Sequence, residues 1–323
     1  MRAVCVIGLG LIGGSVLRAA VAAGRPGWGA TTSAADAEAA RADGYDVAES
    51  TEDALRRAAE QDALVVLAVP LTAVRDVLRL VAWHAPEVWL TDVVSVKDPV
   101  AAEVRSLVPG ARYAGGHPMA GTATSGWDAG SAELFTGASW AVVVEEETTP
   151  EAWREAAALA LDCGAQVVPT SAGLHDAAVA RVSHLPHVFA AILAAVGSDG
   201  GALALSLAAG SFRDGTRVAG SPPDLVQAMT EGNRVALLDA VDDALGRLGA
   251  ARGSLASSGS LKSTVEAGHA ARTALTGLGA ERRGRRQHAV DGTEALAELR
   301  ELGDRGGRVV ALEGTGATVE VPE

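Results

Sequence analysis

Ser95 and Lys97 stand in TDVVSVKDPV (91–100), His117 in GGHPMAGTATSG (115–126), Ser183, His184 and His187 in HDAAVARVSHLPH (175–187), and Arg213, Asp214 and Arg217 in GSFRDGTRVAGSPPD (210–224). These are polar groups in otherwise apolar surroundings, and together they supply a base, hydroxyls and an anion anchor. An imidazole titrates near neutrality and suits general acid–base work. A guanidinium presents a planar fork that grips a carboxylate through two parallel hydrogen bonds, so Arg213 or Arg217 is a natural anchor for an acidic substrate, with Asp214 orienting it. The bland alternatives are a hydrogen-bonded core histidine for each ring and a surface Arg–Asp–Arg ion cluster. Zinc at His117, His184 and His187 would need companion cysteines or ordered carboxylates, which the spacing lacks, so no metal is expected.

A second chemical signal lies at the start. Gly8, Gly10 and Gly13 form G-x-G-x-x-G directly after the apolar run Ala3 to Ile7 and before a helical segment, Val16 to Ala23. In that context the pattern means dinucleotide binding. Gly8 permits the tight turn, Gly10 lets backbone approach a pyrophosphate, and Gly13 lets helix and strand pack closely. Leu11 and Ile12 in the turn, and Val69 and Pro70 after a later strand, complete the expected cofactor contacts. Thr31, Thr32 and Ser33 occupy the place of the ribose-reading acid, which makes NADP plausible, yet no arginine stands ready for a 2′-phosphate. NAD and NADP both stay open. Asp36 is a fallback acid, or the cap of the next helix.

The elements that must position these groups follow from periodicity. Ala63 to Val69, Val88 to Val94, Trp140 to Val144 and Gln166 to Pro169 resemble buried strands, with helices across Asp53 to Glu60 and Leu71 to Trp83. Such alternation predicts an α/β fold with a doubly wound, parallel sheet, whose carboxyl edge receives Ser95 and Lys97. Thr149 and Pro150 open a helix over Glu151 to Leu161, which Gly164 stops. After about Ser171 the segments His175 to Val196, Gly201 to Ala209, Asp224 to Leu248 and Leu261 to Leu275 carry helical spacing, with Gly253 to Ser260 read as a turn and 210–224 as a connection between helices. The expected divisions are a dinucleotide-binding domain over 1–171, a helical domain over 172–290, and a tail over 291–323 holding a helix and a hairpin that turns at Glu313 to Thr315. The ERRGRR run (281–286) reads as a solvated loop or helix end. Apolar helix faces such as HVFAAILAAV are either core or dimer interface.

A chain of 323 residues has room for two domains, and 48% apolar with 21% charged residues excludes disorder as the main state. A net charge of −13 repels phosphate backbones and anionic lipid surfaces, so neither a nucleic acid nor a membrane surface is an expected partner. The apolar stretch Val188 to Val196 falls well short of the ~20 residues that span a bilayer. Cys5 and Cys163 give no disulfide framework, and no signal segment opens the chain, so a soluble cytoplasmic protein is expected.

GLGLIGGS, DVVSVK, GGHPMAGT, the HDxxxAxxSHLPH segment and SFRDGTRVA, in this order and spacing over residues 1–250, resemble the prephenate/arogenate dehydrogenase family of tyrosine biosynthesis. The resemblance implies a Rossmann-like domain followed by an all-helical C-terminal domain through which two copies form a homodimer. It implies an NAD(P)-dependent oxidative decarboxylation of prephenate or arogenate. Under it His117 polarises or deprotonates the ring hydroxyl as hydride leaves, and Ser95 hydrogen-bonds in the same network. Arg217 binds substrate carboxylate, Ser183 and His187 touch the substrate, and His184 adjoins them; Lys97 contributes local electrostatics. Where many members carry Glu-Lys, this chain has Ala123 and Thr124, which removes a charged gate. A β-hydroxyacid dehydrogenase would place a catalytic lysine on a second-domain helix, where Lys262 is the one candidate. A non-catalytic dinucleotide sensor would have no use for His117, Ser95 and Arg217 together.

Overall fold

The computed structural model describes residues 1–122, 124–278 and 281–323. In chain order, β1 (Val4–Ile7), α1 (Leu11–Ala22), β2 (Gly27–Ala30), α2 (Ala34–Ala42), α3 (Thr51–Glu60), β3 (Leu64–Leu67), α4 (Leu71–His84), β4 (Trp89–Asp92), α5 (Asp98–Leu107) and β5 (Arg112–Tyr113) alternate strand with helix. The five strands pair in parallel in the order β2-β1-β3-β4-β5. Both faces of this sheet are covered, which is why its strands read as continuous apolar runs. Val4, Val6, Leu64 and Val66 enter one core, while Cys5, Ile7, Val65 and Leu67 enter the other. Burial pushes both thiols up, that of Cys163 to about 12.

Then follow β6 (Gly116–Pro118), β7 (Ser139–Val143), α6 (Pro150–Asp162) and β8 (Gln166–Thr170), and at the far end of the chain β9 (Arg283–Ala289), α14 (Thr293–Asp304), β10 (Arg308–Glu313) and β11 (Gly316–Pro322). These strands make a second, mixed sheet ordered β6-β7-β8-β10-β11-β9. The runs at 140–144 and 166–169 are therefore strands, as their sequence predicts, but they do not extend the parallel sheet. The chain leaves that sheet after two residues of β5, because β6 turns antiparallel onto β7, with Gly116 opposite Val142. The tail hairpin turns where expected, Glu313 pairing with Gly316, and β10 docks antiparallel on β8 through Val309 and Val167. Thus the second half is not all-helical. Most of ERRGRR is not loop either: Arg283 to Arg286 begin β9, and Arg285 bridges Glu320 on β11 at 3.0 Å.

Between the two stretches of strand lie α7 (Ala172–Val179), a π-helical turn (Ala180–His184), α8 (Leu185–Asp199), α9 (Gly201–Ser206), α10 (Gly210–Thr216), a 3₁₀ turn (Arg217–Gly220), α11 (Pro223–Gly232), α12 (Arg234–Ser258) and α13 (Lys262–Leu278). Three local expectations change. Residues 210–224 form helical turns of their own instead of a bare connection. Most of Gly253 to Ser260 is the last two turns of α12, which ends only at Gly259 in the left-handed conformation, φ 68°. Asp36 does not cap α2; Ser33 does, its hydroxyl accepting from the Asp36 N–H, as Thr149 accepts from Ala152 at α6. The run Ala172–Asp199 is continuous over 28 residues, so by length and composition, unlike the stretch 188–196 alone, it could cross a membrane. Its first half carries His175, Asp176, Arg181, His184 and His187, groups that a bilayer interior makes costly.

The chain divides into two compact units. The first comprises Met1–His175 with Arg285–Val321, and the second Asp176–Gly284 with Pro322–Glu323.

Candidate active site

In the first unit the glycine loop follows β1, at the point where the strand order reverses between β1 and β3. Ligands of open parallel sheets bind in the crevice at such a point. Gly8 takes φ 100°, and a Cβ there would lie 2.4 Å from the Ala68 carbonyl oxygen. A Cβ on Gly13 would lie 1.9 Å from the Gly8 oxygen, so α1 can approach β1 this closely only without one. Gly10, the N-cap of α1, faces open space with nothing within 4 Å of its own Cβ position. A tight turn, a close helix and an open cradle at a helix N-terminus are what a pyrophosphate requires, so the loop fits a dinucleotide. Leu11 and Ile12 open α1, Val69 follows β3, and Pro70 is the N-cap of α4. At the end of β2, the Thr31 hydroxyl accepts from the Ser33 N–H and Thr32 is exposed. One Asp36 carboxylate oxygen is committed to the Trp127 N–H at 2.8 Å.

Behind His117 lies a network whose centre the sequence reading passed over. Asp92, at the end of β4, accepts from the Val94 N–H, from the Tyr113 hydroxyl at 2.7 Å and from Lys97. The Lys97 ammonium also donates to the Gly116 carbonyl, one residue before His117. Asp92 and Lys97 are essentially inaccessible. Breaking such a buried pair from one side costs about 3–5 kcal/mol, because the other charge is left stranded. The pair therefore ties β4, β5 and β6 together and fixes the strand that carries His117. Lys97, one of only two lysines in the chain, stands out in the sequence; its partner five residues earlier does not.

His117 is not in a loop but on β6, opposite Ala141 of β7. Its Nδ1 lies 2.8 Å from Nε2 of His175, with the rings edge to face at 5.0 Å. His175 opens the HDAAVARVSHLPH segment, and no local pattern joins it to a ring 58 positions away. Ser95 sits half-buried in the bend after β4, and among the described residues no hydrogen bond joins it to His117. Ala123 lies outside the described residues; Thr124 and Thr122 share a hydrogen bond in place of a charged pair. A cavity of about 350 Å³ lined by Lys97, Val104, Tyr113 and Glu145 is bordered by neither the glycine loop nor His117, and is no part of this site.

The second unit holds the other named residues. Ser183 is half-buried in the π-turn. His184 has no exposed surface, and its Nδ1 faces the Asn233 side-chain amide at 3.1 Å; Asn233 also donates to the Asp176 carbonyl at 2.7 Å. His184 thus joins the π-turn to the start of α12, and Asn233 is a residue the sequence did not reveal. His187 is partly buried. Burial holds its pKa below the ordinary histidine value, the Val218 backbone raises it, and the nearby Arg217 charge lowers it further. Arg213, in the last turn of α10, and Arg217, opening the 3₁₀ turn, are exposed, and neither is in an ion pair among the described residues. The surface Arg–Asp–Arg cluster does not form, which leaves both guanidiniums with solvent-facing donors.

Comparison with known proteins agrees with this division. Residues 24–169 match the nucleotide-binding domain model of prephenate dehydrogenase, and residues 171–260 match its dimerization domain model. The glycine loop precedes the first match, and residues 261–323 lie beyond the second. A cyclohexadienyl dehydrogenase of Zymomonas mobilis is 33% identical over 261 residues, 79% of this chain and 88% of that protein. A crystal structure from Corynebacterium glutamicum, assigned as a prephenate dehydrogenase, shares 46% identity at a TM-score of 0.82, covering 85% of this chain and 89% of that one. The arogenate dehydrogenase of Synechocystis shares 28% identity at a TM-score of 0.72, covering 84% and 99%. The chain thus belongs to the prephenate/arogenate dehydrogenase family, oxidoreductases of tyrosine biosynthesis.

Proposed function

We propose that this enzyme oxidatively decarboxylates prephenate to 4-hydroxyphenylpyruvate, with NAD or NADP as hydride acceptor, His117 as the base and Arg217 as the carboxylate anchor. The observation that carries this reading is the placement of His117. It stands on a strand fixed by the buried Asp92–Lys97 pair, in the same unit as a glycine loop shaped for a dinucleotide. The dinucleotide, when bound, supplies the hydride acceptor. His117 Nε2 takes the proton of the ring hydroxyl while hydride leaves the carbon that bears that hydroxyl. The bond to the ring carboxylate then breaks, carbon dioxide departs, the bond's electron pair completes the aromatic ring, and the His117 imidazolium returns its proton to the phenolate oxygen. Ser95 is the second hydroxyl of the site, engaged once substrate is present. Arg217, beside a neutral His187, binds substrate carboxylate, Ser183 contributes a further contact, and Arg213 is the reserve cation.

The Rossmann-like reading of residues 1–171 rests on the strand order and the glycine loop. The region 172–290 serves substrate binding and homodimerisation, and the tail 291–323 completes the second sheet. With two buried free cysteines, a cytoplasmic location fits. The test is appearance of reduced nicotinamide with prephenate or arogenate against NAD or NADP. Turnover with prephenate is expected. Turnover with arogenate alone would move the substrate assignment to arogenate, and silence in all four combinations, with cofactor bound, would remove the enzymatic reading.

A further inference from the structure

We propose that His175 is a positioning residue that sets the tautomer of His117, so that the base works as one half of a two-imidazole pair; this rests on His117 being the base of the dehydrogenase reaction. The contact joins Nδ1 of His117 to Nε2 of His175 at 2.8 Å, and one proton lies between them, since a hydrogen bond needs one donor and one acceptor. Two arrangements satisfy it. In one, His117 carries the proton on Nδ1 and donates; in the other, His175 donates and His117 Nδ1 accepts. Only the first leaves a lone pair on His117 Nε2 for the substrate hydroxyl. It also survives the reaction, because an imidazolium carries protons on both nitrogens and must still donate through Nδ1. Holding His175 Nε2 as the acceptor therefore prepares His117 for proton uptake without rearrangement.

The structure holds His175 firmly enough for this. The ring is 4% exposed, and it sits in the first turn of α7. Ser171 caps that turn, its carbonyl accepting from the His175 N–H at 2.9 Å and its hydroxyl from the Leu174 N–H. Glu145 accepts from the Ala172 N–H at 2.7 Å, which pins the start of α7 to the segment after β7. The orienting group is an imidazole where many histidine bases have a carboxylate. The other ionisable groups close by are Asp92 and Lys97, joined to each other beside Gly116, Tyr113 on Asp92, Asp98 beside Gly173, Glu145, and Asp176 next in sequence. The first two neutralise one another.

The test pairs a spectrum with kinetics. In full-length protein labelled with ¹⁵N-histidine, long-range proton–nitrogen spectra are expected to show His117 protonated on Nδ1, with its signals identified by their loss in His117→Asn. His175→Phe is expected to lower kcat by about 10²-fold with KM little changed, and to move the His117 proton toward Nε2. His175→Gln, whose amide oxygen can accept, should restore most of the lost kcat. A wild-type His117 protonated on Nε2, or a His175→Phe enzyme with unaltered kcat, would overturn the proposal. If wild-type protein turns over neither substrate, the base assignment fails, while the spectrum still decides whether the pair sets the tautomer. Should His175→Phe not fold, the wild-type spectrum and His175→Gln decide alone.

Discussion

The two units of this chain are built on opposite terms. The first encloses two apolar cores on either side of a parallel sheet, with Trp28, Trp127, Trp140 and Trp153 fully buried. Of the described apolar residues in the second, only Val179, Ala180, Ala190 and Ala240 are buried, while Val182, Ile192, Val196, Leu203, Val235 and Leu248 stand more than half exposed. A unit with its own core can hold a buried Asp–Lys pair and set one imidazole against another. The second lacks such a core among the described residues, and most of the dimerization-domain match falls on it. The buried pairs around His117 therefore sit in the first unit, and the apolar side chains left open for association sit in the second.

The sharpest way to break this contrast is to remove the base. His117→Asn should leave dinucleotide affinity unchanged and lower kcat by about 10²–10⁴-fold, the range spanned by general-base contributions. Cofactor titration and single-turnover kinetics check both halves. Near-normal kcat would take His117 out of the mechanism and leave the first unit as a binding module.

The converse test strikes the second unit. Leu203, 72% exposed in the single chain, should become buried on dimerisation, where a leucine is worth roughly 1.5–3 kcal/mol. Leu203→Glu also introduces a charge, and should raise the dimer dissociation constant by about 10²-fold or more, read by sedimentation velocity. Dinucleotide binding to the first unit should persist. An unaltered dimer would place the interface on another face of these helices.

Arg217→Ala should act more mildly. Losing a charge-assisted hydrogen bond costs about 1.5–3 kcal/mol, which predicts a KM raised roughly 10- to 150-fold with kcat largely kept. An unchanged KM would transfer the anchor to Arg213.

The same contrast explains what the sequence could tell. In the first unit the strands of the parallel sheet are buried on both faces and α2, α3 and α6 are capped by local hydroxyls, so the runs at Ala3–Ile7, Ala63–Val69 and Val88–Val94, and the Thr149 cap, were legible from neighbours in the chain. The assignment of strands to two sheets was not. It depends on β6 turning back onto β7 and on β10 reaching β8 from the far end of the chain, pairings that leave no local trace. At the site, the family motifs located His117, Lys97 and Arg217, but motif spacing carries no distances. The His117–His175 contact, the Asp92 hub and the Asn233–His184 bond join residues 58, 5 and 49 positions apart, and only the folded chain shows them. In the second unit exposed and interfacial leucines look alike in sequence, which is why helix faces there stayed open between core and interface.

The smallest effect concerns His187. Burial holds its folded-state pKa below the ordinary 6.5, against a weaker opposing pull from the Val218 backbone, and the Arg217 charge adds a still smaller lowering. Below 6.5 the unfolded chain takes up a proton that the folded ring resists. The full stability of the neutral ring is therefore present above 6.5, and is lost as pH falls through the lowered folded value. His187→Gln should flatten this acid-side loss without changing stability at pH 8, measured by urea unfolding at both pH values. Bound prephenate, by placing a carboxylate near Arg217, should offset the guanidinium and raise the His187 value toward normal, visible as a shifted ring titration in the ligand-bound enzyme. If ligand leaves that titration unmoved, the carboxylate does not dock at Arg217, and the contrast between the unit of buried pairs and the unit left open for association loses its electrostatic half.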